Sequence, residues 1–125
     1  MSAIVLDAGA LIAIERDSRA VTGILVEATR AAETLTVPAG CVAQTWRDPR
    51  RQVRLATFLK RPNVDVAAMD AAEARNVGLL LADTGTTDIT DGHVALCALR
   101  LDAAVLTSDP DDIRKLGPRL RIHRV

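Results

Sequence analysis

Three short stretches carry the acids that could do chemistry. Asp7 follows an apolar run in IVLDAG, Asp88 and Asp91 stand three apart in DITD, and Asp109, Asp111 and Asp112 crowd around one proline in SDPDD. Carboxylates brought into one pocket repel: two unit charges ~4 Å apart cost roughly 4 kcal/mol at an effective dielectric of 20. Such a group needs a raised pKa or a cation. Hard oxygen donors without His or Cys suit Mg2+ or Mn2+. No Lys or Arg lies within four positions of Asp7 or Asp91, so no local ion pair is evident.

Each acid also has a structural use. Asp109 can cap a helix, with Pro110 at the first helical position and Asp112 as the reciprocal acid of a capping box. Such a cap is worth ~1 kcal/mol. Asp88 can cap a helix, and Asp91, one turn in, is then favoured by the helix dipole. Asp7 can simply end a strand. The two uses separate on whether the fold delivers the acids to one place.

Ala3 to Leu6 predicts a short buried strand, followed by a helix from Gly9 to Ile14. Ser18 is a candidate cap for a helix reaching Ala32, and the β-branched run from Thr34 to Val37 predicts a second strand. Helices are expected at 40–47 and 50–60, the latter amphipathic, with Val53, Ala56 and Leu59 on a stripe widened by Leu55. Val64 to Ala67 predicts a third strand, and Asp70 a cap for a helix to about Ala82. A very apolar helix is expected from Ile89 to Leu101, a strand from Ala104 to Thr107, a short helix from Pro110 to Leu116 and a last strand from Leu120 to His123. This alternation predicts an α/β fold, a three-layer α/β/α sandwich around a mainly parallel sheet. Ligands of such sheets sit at the carboxyl ends of the strands. If the strands at 3–6 and 104–107 are neighbours, Asp7 and Asp109 meet there, and the start of the helix at 89 can add Asp91.

The 125 residues suit one domain, 1–125, and an apolar content of 49% can fill an ordinary core. Cys41 and Cys97 lie in apolar helical stretches without metal-ligand spacing and read as buried thiols of a reducing compartment. The N-terminal stretch has Asp7 in its middle and no basic leader, which is unlike a signal peptide. No apolar run approaches the ~20 residues of a membrane helix, so a soluble, cytoplasmic chain is expected. A net charge of zero hides segregation: Arg47 to Arg61 holds six basic residues and one acid, whereas Asp65 to Asp112 holds ten acids against Arg75 and Arg100. An acidic pocket beside a basic rim would follow. Arg47, Arg50, Arg51 and Arg54 could track RNA phosphates, or form a solvated helix face. Trp46 reads as a core or interface residue, and His93 should point away from Asp91.

In their order and spacing, IVLDAGALIAI, CVAQTWRD, TDITDGHVALCA and AVLTSDPDDI resemble the PIN domain, and the chain length and basic stretch resemble VapC, the toxin of VapBC toxin–antitoxin pairs. The resemblance implies a Mg2+-dependent endoribonuclease, with Mn2+ able to substitute, whose acids hold the metal and activate water. By position it assigns Asp7, Asp91 and Asp109 to catalysis and metal binding, with Gln44, Asp88 and Asp112 as auxiliaries. It also implies a VapB-type antitoxin, an RNA substrate and a homodimer. Two positions depart from the family pattern. Gln44 stands where a glutamate is usual, and an amide can hydrogen-bond but cannot act as a base or neutralise charge. Gly9 stands where Ser or Thr is frequent, so a hydroxyl is missing.

The departures give substance to an alternative, a catalytically weak or silent PIN domain acting by antitoxin or RNA binding. A remote alternative is a signalling receiver domain, which shares the alternating order. It fits poorly, because Asp7 stands alone after its strand and the chain ends in His123-Arg124-Val125 without the expected lysine.

Overall fold

A computed structural model describes residues 2–125. The short apolar runs become five strands: β1 (Ala3–Leu6), β2 (Thr34–Pro38), β3 (Val64–Ala67), β4 (Ala104–Thr107) and β5 (Ile122–Arg124). Their order is β3-β2-β1-β4-β5, and every neighbouring pair is parallel. The central β1 and β4 are almost wholly buried, as sheet strands covered on both faces must be.

Seven helices connect and cover the sheet: α1 (Ala8–Glu15), α2 (Arg19–Arg30), α3 (Ala39–Thr45), α4 (Val53–Leu59), α5 (Ala71–Thr84), α6 (Ile89–Leu101) and α7 (Pro110–Leu116). α1 packs with α2, α3 and α4, while α6 packs with α5 and α7. The result is the expected α/β/α sandwich. Val5, Leu6, Leu11, Leu35, Leu106 and Ile113 have no exposed surface and fill its interior. Without large aromatics, the helices pack on the sheet through aliphatic side chains alone, apart from Phe58 and the partly buried Trp46.

One helix differs from the sequence expectation in extent and in face. The helix expected at 50–60 begins only at Val53. The buried Gln52 organises the turn before it: its Oε1 accepts from the Arg47 and Asp48 N–H groups at 2.7 and 3.0 Å, and its Nε2 donates to the Thr45 carbonyl at 2.7 Å. Anchoring the entry this way sets the rotation of α4. Leu55 and Phe58 face inward, and Val53, expected on the buried stripe, is 61% exposed. Two smaller differences follow the same logic of local hydrogen bonds. Ser18 precedes α2 without a side-chain cap bond, and the last strand lies at Ile122–Arg124, two residues later than its expected start.

Candidate active site

The strand order reverses direction at one place. From β1 the chain moves outward through β2 and β3, and from β4 it moves outward the other way to β5. Connections therefore leave the carboxyl ends of β1 and β4 toward opposite sides, opening the crevice where ligands of open α/β sheets bind. The register Leu6↔Leu106 sets Asp7 beside Thr107 at that crevice.

Asp7 is fixed from both sides. One carboxylate oxygen caps α1 by accepting from the Ala10 N–H at 2.9 Å. The other accepts from the Thr107 hydroxyl. The side chain is only 6% exposed. Burial pushes its carboxyl above the usual range, against the pull of the bonds from Thr107, Ala10 and Gly9.

Asp91 stands in the first turn of α6, where its N–H donates to the capping Asp88 carboxylate at 2.8 Å. Its carboxyl is pushed up to about 6, first by burial and then by the charges of Asp88, Asp112, Asp7 and Asp109. The acids from β1, α6 and the β4–α7 junction thus share one field, as the adjacency of β1 and β4 requires.

Asp109 does not cap its helix through its side chain. It occupies the N-cap position of α7 with Pro110 inside the first turn, but its side chain makes no capping bond. Its N–H donates to Thr107 Oγ1 at 2.9 Å, and its carboxyl is held above the usual range first by the neighbouring Asp112 carboxyl, then by slight burial and by the charges of Asp112, Asp111 and Asp7. The capping-box expectation is thereby corrected, because the side chain that should have closed it makes no bond to the helix amides.

Among the described residues, no Lys, Arg or His forms an ion pair with Asp7, Asp88, Asp91 or Asp109, while Lys115 lies 3.7 Å from Asp112. Thr86, Thr87, Asp88, Asp91, Asp112 and Lys115 line a common open depression. The oxygen-only donor set fits a hard divalent cation. No three aspartates among the described residues bring their oxygens within 4.8 Å of one another.

The two departures have distinct placements. A Cβ on Gly9 would lie 1.9 Å from Ser108 Oγ and 2.7 Å from Ser108 Cβ. The space of a residue-9 side chain is thus filled by a hydroxyl arriving from the β4–α7 junction. Gln44 lies exposed in the last turn of α3. It shares a helix face with Cys41 three positions earlier, whose buried thiol is pushed up to about 12 by burial and then by the charges of Asp7 and Asp91.

The arginines assigned to RNA are partly engaged. Arg47 donates to the Ala43 and Trp46 carbonyls, which ties it to the end of α3. Arg51 pairs with Asp48 at 3.6 Å and Arg54 with Asp17 at 3.8 Å. All four, Arg50 included, are solvent-exposed.

Sequence reasoning missed Thr107, Ser108 and Lys115 near the acids, and a second group away from them. Glu73 on α5 with His93 and Cys97 on α6 forms the one trio among the described residues whose possible metal-donor atoms lie within 4.8 Å of one another. His93 and Cys97, four apart, were legible as one helix face, but Glu73 is distant in sequence. Cys97 is a free, buried thiol as expected, and the packing of α5 on α6 sets it beside Glu73 and His93. His93 does point away from Asp91, with Nε2 lying 3.2 Å from Glu73 Oε2. Arg100 bonds both Glu73 oxygens, and this pairing holds the Glu73 carboxyl below its usual range.

No curated protein sequence matches the chain. Solved structures share its fold, among them two complexes with DNA. VapBC2 from Rickettsia felis, solved bound to a DNA fragment from the promoter of the pair, aligns with a TM-score of 0.74 at 17% identity over 98% of both chains. FitAB bound to the IR36 DNA fragment aligns with a TM-score of 0.65 at 14% identity, covering 97% of this chain and 94% of the other. The PIN domain family matches residues 4–117. That span takes in both central strands and every acid of the crevice from Asp7 to Asp112, and the chain belongs to the PIN domain family.

Proposed function

We propose that the chain acts as a single module of the VapC type, the toxin half of a toxin–antitoxin pair, with weak metal-dependent endoribonuclease activity. The observation that carries this reading is the set of acids that β1, α6 and the β4–α7 junction bring toward one crevice, Asp7, Asp88, Asp91, Asp109 and Asp112, of which only Asp112 meets a Lys or Arg among the described residues. A cation there would relieve the repulsion that, together with burial, holds the Asp91 carboxyl above its usual range. Asp7, Asp91 and Asp109 would hold Mg2+ or Mn2+, with Asp88, Asp112 and Gln44 in support. When bound, such an ion polarises a phosphate and makes a water nucleophilic near neutral pH.

The chain's own groups supply positioning. Thr107 and the α1 amides orient Asp7, Asp88 fixes the first turn of α6, and Lys115 offers a positive charge at the rim for a phosphate. Arg47, Arg50, Arg51 and Arg54 would track the RNA backbone, which requires steep salt dependence. The low rate follows from Gln44, which removes one carboxylate from the family's usual set. A VapB-type antitoxin and a second copy of the chain are the expected partners, in the cytoplasm. No helix among the described residues is long and apolar enough to cross a membrane.

Purified protein is incubated with structured RNAs, transfer RNAs among them, with Mg2+ or Mn2+. Cleavage that disappears with EDTA and in Asp91→Asn supports the enzyme. Retained cleavage in Asp91→Asn refutes the role of that residue. Folded protein that retains RNA but cuts none with either ion supports the second reading, a silent binding module, which Gln44 in place of the usual glutamate also favours.

A further inference from the structure

We propose that Glu73, His93 and Cys97 bind a divalent cation of the Zn2+ class at a site separate from the aspartate crevice. The three residues are 8%, 0% and 4% exposed. The ring nitrogen of His93 that faces the trio is Nε2. With the neutral ring's proton on Nδ1, the Nε2 lone pair meets the Glu73 carboxylate oxygen, two acceptors 3.2 Å apart that a cation between them would reconcile.

The donor spacing suits tetrahedral coordination. Donors bound at ~2.0–2.3 Å to a tetrahedral ion stand roughly 3.3–3.8 Å apart. The ring nitrogen and the carboxylate oxygen already stand 3.2 Å apart, and the trio closes within 4.8 Å. A nitrogen, a sulfur and a single oxygen select Zn2+ over Mg2+, the reverse of the all-oxygen crevice.

Charge also balances. Binding forms the metal–sulfur bond and releases the Cys97 thiol proton to solvent. Thiolate and carboxylate together then neutralise the ion. The Arg100 side chain, 51% exposed, can release a Glu73 oxygen without stranding its own charge indoors.

Metal-free protein is titrated with Co2+, the spectroscopic stand-in for Zn2+. The expected result is a thiolate-to-cobalt charge-transfer band with tetrahedral visible bands, saturating at one ion per chain, bleached by Zn2+ and unmoved by excess Mg2+. Cys97→Ala removes the charge-transfer band, with Cys97→Ser as the closer replacement in size if the alanine variant does not fold. His93→Gln weakens Co2+ binding at least tenfold. Asp91→Asn and Cys41→Ala retain the band. Folded wild type without a thiolate band, or a band surviving in Cys97→Ala, overturns the proposal.

Discussion

Replacing Asp91 with Asn should stabilise the metal-free protein and, in the same stroke, remove its response to metal. The carboxyl rises from 3.8 to about 6. Two units at about 1.4 kcal/mol each set a ceiling of roughly 3 kcal/mol. The residue is only partly buried, so solvent screening halves this to about 1.5 kcal/mol. Asn also forfeits the favourable place of an acid in the first turn of α6, about 0.5 kcal/mol. A net gain of about 1 kcal/mol remains, or about 3–5 °C in Tm for a chain of this size. The sign follows from linkage. A carboxyl whose folded pKa is raised gives its full relative stability below 3.8 and loses it as pH rises through about 6. The gain from Asp91→Asn should therefore be largest at pH 7.5 and shrink toward pH 4. Thermal unfolding in EDTA measures this. With Mn2+ in place of EDTA the ranking should reverse, because only the wild type binds the ion and is stabilised by it. An Asn variant less stable than wild type in EDTA at pH 7.5, or one that keeps the Mn2+ increment, would refute the electrostatic account of the crevice.

Gly9→Ser should destabilise by about 1–3 kcal/mol through overpacking against Ser108, and adding Ser108→Gly should recover most of it; a double-mutant cycle with no coupling would show that the two positions do not share one space. Glu73→Gln should cost about 2–3 kcal/mol at pH 7, below the usual range for a broken buried pair because Arg100 is half exposed. Since the Glu73 carboxyl is lowered from 4.5, its contribution is present above that value and lost as pH falls through the folded pKa, so urea midpoints of wild type and variant should converge in acid. Gln44→Glu should tighten Mn2+ binding and raise RNA cleavage, read by calorimetry and by turnover; unchanged affinity would remove Gln44 from the site.

The three inner strands, β1, β2 and β4, were legible because each is a short, mostly apolar run ending at a polar or turn residue, whereas the edge strands β3 and β5 carry Asp65, His123 and Arg124 and are half exposed. The α6 boundaries were legible at both ends, with Asp88 capping at the start and Asp102 accepting a left-handed conformation (φ 50°) at the finish. α4 was not, because its start depends on Gln52 reaching back to Thr45, a contact that helical periodicity does not encode. At the crevice, the juxtaposition of Asp7 and Asp109 followed from strand adjacency alone. The role of Asp109 did not: SDPDD reads as a capping box, yet the Asp109 side chain makes no bond to the helix amides. Ser108 was invisible for a related reason. Gly9 reads as a lost hydroxyl in one dimension, whereas in three dimensions its missing side chain is the room that another hydroxyl takes. Glu73 joins His93 and Cys97 only through the packing of α5 on α6.

The bond from Thr107 to Asp7 closes a loop of 100 positions, and this separation sets a clock on the ribosome. At about 5–20 residues per second, some 5–20 s elapse between the synthesis of Asp7 and that of its orienting hydroxyl. Throughout that interval the nascent chain has β1 with one edge open and no crevice beside it. Whatever chemistry the crevice performs begins only once Thr107 has been made, after the segments carrying β2 and β3. A release delay of that length leaves time for a co-translated partner to reach the chain before the acids are assembled.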